Sequence, residues 1–114
     1  MSGILRNAYT AVIARGETWE GSVQTEPYEA AWAGEALFFV RVLEATGSGQ
    51  ATGRVQISPD GMNWVDEGGT LTIDAQAGHL AFVRVREFGG WLRLAVEVPP
   101  SASLTVVATL ALKA

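Results

Sequence analysis

The strongest constraint in this sequence is the alternation of apolar and polar residues along short segments that end at glycine or proline. Thirteen glycines and four prolines interrupt the 114 residues. Alternation with a period of two places successive side chains on opposite faces of a β-strand, and turn residues separate one strand from the next. No segment keeps a helical period over three turns. The pattern therefore predicts an all-β fold, a single antiparallel β-sandwich of jelly-roll type with about eight strands.

The predicted strands follow one another closely along the chain. A connection at residues 26–35 separates the first two strands from the rest, and Pro59, Asp60 and Gly61 form a tight-turn signal before a return strand at Trp64. The other strands are expected at residues 8–13, 18–23, 36–44, 54–58, 70–73, 79–87, 91–98 and 103–112. The length fits one domain, which we divide into an N-terminal arm with the first strand (1–13) and the sandwich (14–114).

The segment at residues 36–44, ALFFVRVLE, is apolar on both faces. Phe38, Val40 and Val42 share one face, and the opposite face carries Leu37, Phe39, Arg41 and Leu43. Such a strand is expected at the centre of a sheet that is covered on both sides, or on a face that a partner uses. It resembles the later segment FVRVRE, and the two are predicted to be equivalent inner strands of facing sheets.

Composition excludes several classes of function. The absence of cysteine rules out disulfides and thiolate metal sites, and a net charge of −4 argues against nucleic-acid binding. No apolar run approaches the ~20 residues that span a bilayer, and we predict no signal peptide. Hydrophobic residues make up 48% and charged residues 18% of the chain, below the ~25% charged residues typical of soluble domains. Some apolar surface is therefore expected to face partners.

Catalytic and metal-binding patterns are weak. The single histidine, His79, has Asp74 five residues before it but no serine in a nucleophile turn. Asp60, Asp66, Glu67 and Asp74 do not have the spacing of a calcium loop. We therefore expect a non-enzymatic protein with no catalytic residue, no cofactor and no metal.

The four tryptophans, Trp19, Trp32, Trp64 and Trp91, are the richest chemical feature. Trp64 and Trp91 stand at strand starts, where they are expected to cap a core. Trp32 lies in an apolar connection and is the best candidate for an interface anchor. Alternatively, Trp19, Trp32 or Trp64 would be exposed and form a stacking platform for sugars, as in carbohydrate-binding modules.

Four arginines occupy mid-strand positions: Arg41, Arg84, Arg86 and Arg93. They could pair with Glu44, Glu87 and Glu97 across strands and form an ordinary charged outer face. They could equally form a surface that docks onto an acidic partner or another copy of the chain. The sequence leaves both interpretations open.

Residues 37–113 resemble small virion proteins of tailed bacteriophages. The resemblance rests on FFVRVLEATGSG, VQISPDGMNW, FVRVREFGGWLRLAVEV and the closing LTVVATLALKA. Its most recognisable part is the turn SPDGMNW, in which Ser58, Asp60, Gly61 and Trp64 are the expected structural residues. The resemblance implies a β-sandwich that assembles onto a capsid or tail and carries no catalytic residues.

Together these observations predict a capsid decoration (cement) protein, made in the host cytoplasm and located in the virion. It would work as a homo-oligomer, for instance a trimer, and bind capsid or tail proteins rather than nucleic acid or membrane. The apolar N-terminal arm contains Ile4, Leu5 and Tyr9. The expected partner contacts are Ile4, Leu5, Tyr28 and Trp32. The alternative function is a carbohydrate-binding β-sandwich module.

Overall fold

The computed structural model describes residues 8–114, which form two antiparallel sheets packed face to face. The strands are β1 (Ala8–Trp19), β2 (Ser22–Gln24), β3 (Tyr28–Glu29), β4 (Glu35–Gly47), β5 (Gln50–Ser58), β6 (Val65–Asp74), β7 (Leu80–Arg86), β8 (Trp91–Glu97) and β9 (Ala102–Lys113). The predicted all-β sandwich is confirmed. Within this range no helix is long and apolar enough to cross a membrane.

The strand order is that of a jelly roll. The first sheet has the order β1-β9-β4-β7, and the second has the order β2-β8-β5-β6 with β3 also paired to β8. Because β2 and β3 are short and both pair with β8, they fill one strand position on either side of Pro27. The nine strands therefore occupy eight positions, four in each sheet, and the chain crosses repeatedly from one sheet to the other.

The core lies between the sheets and follows the predicted alternation. On β9 every second residue from Leu104 to Leu112 is fully buried, and on β4 Phe38, Val40 and Val42 are buried in the same way. The inward residues of β8, including Leu92 and Leu94, come from the opposite sheet and complete this layer. Since a pleated strand has only two faces, burying one of them fixes the orientation of every residue along it.

Several strand boundaries differ from the prediction because β-bulges lengthen the strands. β1 continues past residue 13 to Trp19, with register shifts between Val12 and Ala14 and between Arg15 and Glu17. Residues 8–12 are thus paired with β9, and Ile13 lies in the first bulge. The division into an arm and a sandwich domain at residue 13 stays a prediction, because residues 1–7, including Ile4 and Leu5, lie outside the described residues.

The two similar segments are neighbours in one sheet, and the prediction that they lie in facing sheets was wrong. β4 and β7 pair side by side in the first sheet, with Phe39 opposite Phe82 and Leu37 opposite Arg84. The similarity of the two segments reflects a common environment, since both turn alternate residues outward on the same face. The alternation of apolar and polar residues predicts which face of a sheet a residue occupies. It does not predict which strand lies beside it.

The β4–β5 turn requires glycine at residue 47. Gly47 has a φ of 78°, in the left-handed region, and a Cβ added there would collide with the backbone carbonyl of Ser101. The close approach lets Ser48 and Ser101 bond to each other, with the Ser101 hydroxyl donating to the Ser48 carbonyl at 2.9 Å. The β4–β5 turn and the β8–β9 connection are thus joined at one end of the sandwich.

Candidate functional site

An open aromatic groove lies at one edge of the sandwich, where β1 of the first sheet approaches β3 of the second. It is lined by Ala8, Tyr9, Tyr28 and Trp32 and has a volume of about 520 Å³. Tyr9 is 55% exposed and Trp32 is 45% exposed, although both are large aromatic side chains. We call these four residues the aromatic groove. Exposed aromatic residues grouped in a concave surface are typical of binding sites.

The loop that carries Trp32 is anchored on both sides by backbone hydrogen bonds. Ala30 is fully buried, and its N–H donates to the carbonyl of Gly90 at 2.7 Å. Gly34 donates to the carbonyl of Lys113 at 2.9 Å, and the Glu29 carboxylate accepts a bond from the N–H of Ala31. These contacts fix the loop against both sheets, so Trp32 is held at the surface by a rigid base.

Tyr28 is a half-buried residue of the aromatic groove and lies beside Tyr9. Burial raises the pKa of Tyr28 above its ordinary value, and the charge of Tyr9 and a hydrogen bond to it act in the same direction. Tyr28 therefore stays protonated and uncharged at neutral pH. The groove offers two phenol hydroxyls and aromatic faces, which suit stacking, apolar burial and hydrogen bonding rather than acid–base catalysis.

The structure brings together only part of the expected contact set. Tyr28 and Trp32 line the same groove, whereas Ile4 and Leu5 fall outside the described residues. The strand β1 begins at Ala8, which also lines the groove. Tyr9 completes the groove, and the sequence included it only in the apolar arm. Its signal would have been a tyrosine near the end of an edge strand, on the inward side opposite Leu112, but no local pattern shows that β1 approaches β3.

The turn at residues 58–64 is a closed hydrogen-bonded network. The buried Ser58 hydroxyl accepts bonds from the N–H groups of Asp60 and Gly61 and donates to Asp60 Oδ1 at 2.9 Å. Asp60 Oδ1 also accepts from the N–H groups of Met62 and Asn63, at 2.8 and 2.9 Å. Bonds donated mainly by the Asn63 and Met62 backbones lower the pKa of Asp60 well below its ordinary value.

This network leaves little capacity for chemistry at Asp60. Asp60 Oδ2 accepts the Asn63 side-chain amide at 2.7 Å, so both carboxylate oxygens are engaged within the turn. Gly61 has a φ of 79°, and a Cβ there would press on the Trp91 ring at 3.2 Å. Ser58, Asp60 and Gly61 thus have the geometry of a structural turn, in which the aspartate satisfies backbone donors.

Trp64, at the end of this turn, lies against the outer face of the second sheet. The guanidinium carbon of Arg93 lies 4.3 Å from the Trp64 ring centroid, and Arg93 Nε donates to Gln56 Oε1 at 2.8 Å. Burial lowers the pKa of Arg93. The Trp64 ring is therefore already stacked by an arginine. Trp19 is only 1% exposed, so the prediction that it could form a sugar platform was wrong.

The remaining ionisable candidates do not assemble into a reactive site. His79 Nδ1 lies 3.5 Å from Asp74 Oδ2, and its Nε2 lies 3.4 Å from the carbonyl oxygen of Thr72. Over residues 8–114, no group of three or more histidine, aspartate or glutamate side chains converges as a metal site would require.

The mid-strand arginines separate onto the two outer faces of the sandwich. Arg41, Arg84 and Arg86 lie on the outer face of the first sheet, which we call the basic face, whereas Arg93 lies on the outer face of the second sheet, which we call the polar face. Arg86 pairs with Glu35 at 2.9 Å. The same face exposes Leu43, Leu80 and Phe82.

Solved structures with a similar fold include a prophage-derived protein and a PBSX exported protein. The SPBc2 prophage-derived protein YomS has a TM-score of 0.62 at 10% identity, over 100% of this chain and 99% of YomS. The PBSX exported protein XepA has a TM-score of 0.56 at 11% identity, over 95% of this chain and 36% of XepA. This chain therefore corresponds to about a third of XepA. At these identities the likeness shows a shared fold.

A third similar structure is the CBM36-1 domain of a multidomain xylanase from the hindgut metagenome of Trinervitermes trinervoides. Its TM-score is 0.51 at 10% identity, and the match covers 92% of this chain and 96% of that domain. No curated protein matches the sequence. A family model does match residues 38–110, which run from β4 to β9. The chain belongs to this family, the domain of unknown function DUF6385.

Proposed function

We propose that this protein is a non-enzymatic structural component of a phage-like particle, a capsid decoration protein that binds and stabilises the shell. The observation that carries the proposal is the aromatic groove, which exposes Tyr9 and Trp32 on a rigid base next to the point where residues 1–7 join β1. The particle is its partner, and the protein acts there as a homo-oligomer.

The residue types in the aromatic groove support binding that buries apolar surface against a partner protein. Trp and Tyr carry large apolar surfaces with a polar tip and lose little rotamer entropy when they are immobilised, so they dominate protein interfaces. Residues 1–7 include Ile4 and Leu5, which would extend the apolar contact beyond Ala8. In this mechanism the N-terminal segment and the groove together hold a neighbouring subunit of the shell.

The fold comparison supports a phage context. Two of the similar structures are named as a prophage-derived protein and a PBSX exported protein, and YomS matches this chain over its whole length. The low charged fraction of 18% also suits a chain that hides surface in an assembly. Neighbouring genes for a portal, a protease and a major capsid protein would add independent support.

The test is co-sedimentation with purified particles that lack this protein, taken from the phage or prophage whose genome encodes it. Deletion of residues 1–7 and, separately, Trp32→Ala are expected to abolish or strongly reduce co-sedimentation while the thermal unfolding curve stays close to that of the wild type. Trp64→Ala is the matched control, because Trp64 lies outside the groove. If both altered proteins still decorate particles as well as the wild type, the groove is not the docking site.

The second candidate is a carbohydrate-binding module, and one observation favours it. The CBM36-1 domain shares the fold, and Trp32 presents an exposed ring that a sugar could stack on. Soluble xylan and other glycans would then quench tryptophan fluorescence, and Trp32→Ala would remove the quenching. Absence of quenching by any glycan in a broad panel excludes this candidate and leaves the particle-binding proposal in place.

A further inference from the structure

The four edges of the two sheets differ in how well they resist pairing with another strand. β1 is interrupted by two bulges, β2 and β3 are three and two residues long, and β6 bulges between Asp66 and Thr70. β7 is seven residues long and pairs with β4 without a register shift. A straight, regular edge strand is a template for pairing, and proteins usually disrupt such edges. Among the sheet edges formed by residues 8–114, β7 is the one left undisrupted.

The hydrogen-bond pattern shows which backbone groups of β7 remain available. At one end Glu87 donates to the carbonyl of Gly34 at 3.2 Å, and at the other end Val42 donates to the carbonyl of His79 at 2.8 Å. Because bonding direction alternates along an antiparallel strand, the odd-numbered residues between them bond to β4. The free edge therefore carries the N–H and C=O groups of Leu80, Phe82, Arg84 and Arg86.

The same four residues also have exposed side chains on the basic face. Leu80 is 60% exposed and Phe82 is 56% exposed, and they are followed at the same spacing by Arg84 and Arg86. The strand thus presents an apolar half and a basic half. Further positive charge lies on neighbouring strands of this face, at Arg15, Arg41 and Lys113, although the whole chain has a net charge of −4.

We propose that β7 binds an extended acidic segment of another protein, which adds to the first sheet as a fifth, antiparallel strand. In this register the segment reads, from its N-terminus, acidic-x-acidic-x-apolar-x-apolar. The carboxylates lie opposite Arg86 and Arg84, and the apolar side chains lie opposite Phe82 and Leu80. Backbone bonds supply affinity and the alternating side chains supply specificity. This inference is independent of the aromatic groove, which lies at the opposite edge of the first sheet.

Charge selects an acidic partner over a second copy of the chain. Pairing β7 with β7 of another copy would place four arginines on one face of the joined strands, and the strand Leu80–Arg86 contains no carboxylate to offset them. Arg86 is bonded to Glu35 through Nε, and its side chain is still 68% exposed, so other guanidinium N–H groups can reach a partner carboxylate.

The test uses the ¹⁵N-labelled protein and the synthetic peptide acetyl-Glu-Thr-Glu-Thr-Phe-Thr-Leu-amide, followed by NMR. The amide signals of Leu80, Phe82, Arg84 and Arg86 are expected to shift most, because these N–H groups gain partners. A peptide with lysine in place of both glutamates should bind about tenfold more weakly or worse, since two opposite-charge pairs become like-charge pairs. If the β7 amides do not move at about 1 mM peptide, or both peptides bind equally, the proposal is overturned.

Two variants separate backbone pairing from charge. Phe82→Pro removes one N–H from the free edge and none from the β4 ladder, so it should weaken binding about tenfold or more. Phe82→Leu is its matched control and should bind within about twofold of the wild type. The second variant combines Arg84→Glu with Arg86→Glu, and its result is independent of whether the proline variant folds. This double variant should bind the lysine peptide more tightly than the glutamate peptide, a reversal of the wild-type preference.

Failure of that reversal overturns the acidic specificity. Sedimentation of the protein alone shows whether a second copy of the chain occupies the β7 edge. If the chain dimerises and Phe82→Pro abolishes the dimer, the occupant of the β7 edge is a second copy and the proposal is wrong.

Discussion

The two outer faces of this sandwich use their charged residues in opposite ways. On the polar face, Arg54 pairs with Asp66 at 3.1 Å, and Arg93 bonds to Gln56 while stacking on Trp64. On the basic face, arginines surround exposed leucine and phenylalanine side chains, and Arg86–Glu35 is the ion pair formed there within residues 8–114. One face therefore satisfies its own polar groups, whereas the other leaves charge and apolar area available to a partner.

The largest expected loss of stability distinguishes the inward side of β4 from its outward side. Phe38 is 1% exposed in the core, and its neighbour Phe39 points to the basic face. Phe38→Ala should destabilise the protein by about 3–5 kcal/mol because it leaves a cavity. Phe39→Ala should cost about 1–2 kcal/mol, because Phe39 is half-buried and packs against Phe82. The two ring centroids are 6.1 Å apart. Urea unfolding measures both; equal losses would contradict the assignment of the two faces.

The next effect concerns the turn beside the polar face and depends on pH. Hydrogen bonds lower the folded-state pKa of Asp60 below its ordinary value of 3.8, so its contribution to stability is present above pH 3.8 and is lost as the pH falls further. Asp60→Asn keeps an acceptor oxygen but cannot titrate. The difference in unfolding midpoint between wild type and variant should be largest near about pH 5 and shrink toward about pH 2. A difference that does not change with pH would show that the carboxylate charge is irrelevant.

A smaller effect is expected from the stacked arginine on the polar face. Arg93→Gln removes the cation over the Trp64 ring and should lower stability by about 0.5–1 kcal/mol. The emission of Trp64 should change as well, because its environment loses a charge at 4.3 Å. Unfolding and fluorescence can be followed on the same sample. If the spectrum is unchanged, Arg93 does not hold Trp64 in solution.

The smallest effect on folding is expected at the exposed edge of the basic face. Phe82 is more than half exposed, so Phe82→Ser should change stability by less than about 1 kcal/mol. The same change should reduce nonspecific adhesion to apolar resins, because it removes an exposed aromatic ring. A loss comparable to that of Phe38→Ala would mean that Phe82 belongs to the core and not to a contact surface.

The fold was largely predictable because each sheet buries one face. Strict alternation in β8 and β9 identified Leu92, Leu94, Leu104 and Leu110 as inward residues, and a one-residue error would have exposed them all. The two-sided apolar character of β4 also matched its central place between β9 and β7. Strand boundaries at bulges, such as that in β1, were less predictable, because an extra residue breaks the alternation without ending the strand.

The candidate sites were less predictable because they depend on which strands lie side by side. Tyr9 and Tyr28 are far apart in sequence, and they meet because β1 and β3 lie at the same edge of the two sheets. Similarly, Arg93 resembles Arg41 and Arg84 in local pattern but lies on the opposite side of the molecule. The burial of Trp19 has the same origin, since a strand end gives no local sign of what packs over it.

Hydrogen–deuterium exchange of the protein bound to purified particles tests whether the aromatic groove is the docking site. Docking through the groove predicts slower exchange on binding in residues 8–9 and 28–32, which contain the groove residues, and no change in residues 52–56 and 66–74 of the polar face. Protection confined to the polar face, with the groove exchanging as in the free protein, would contradict the proposed docking site.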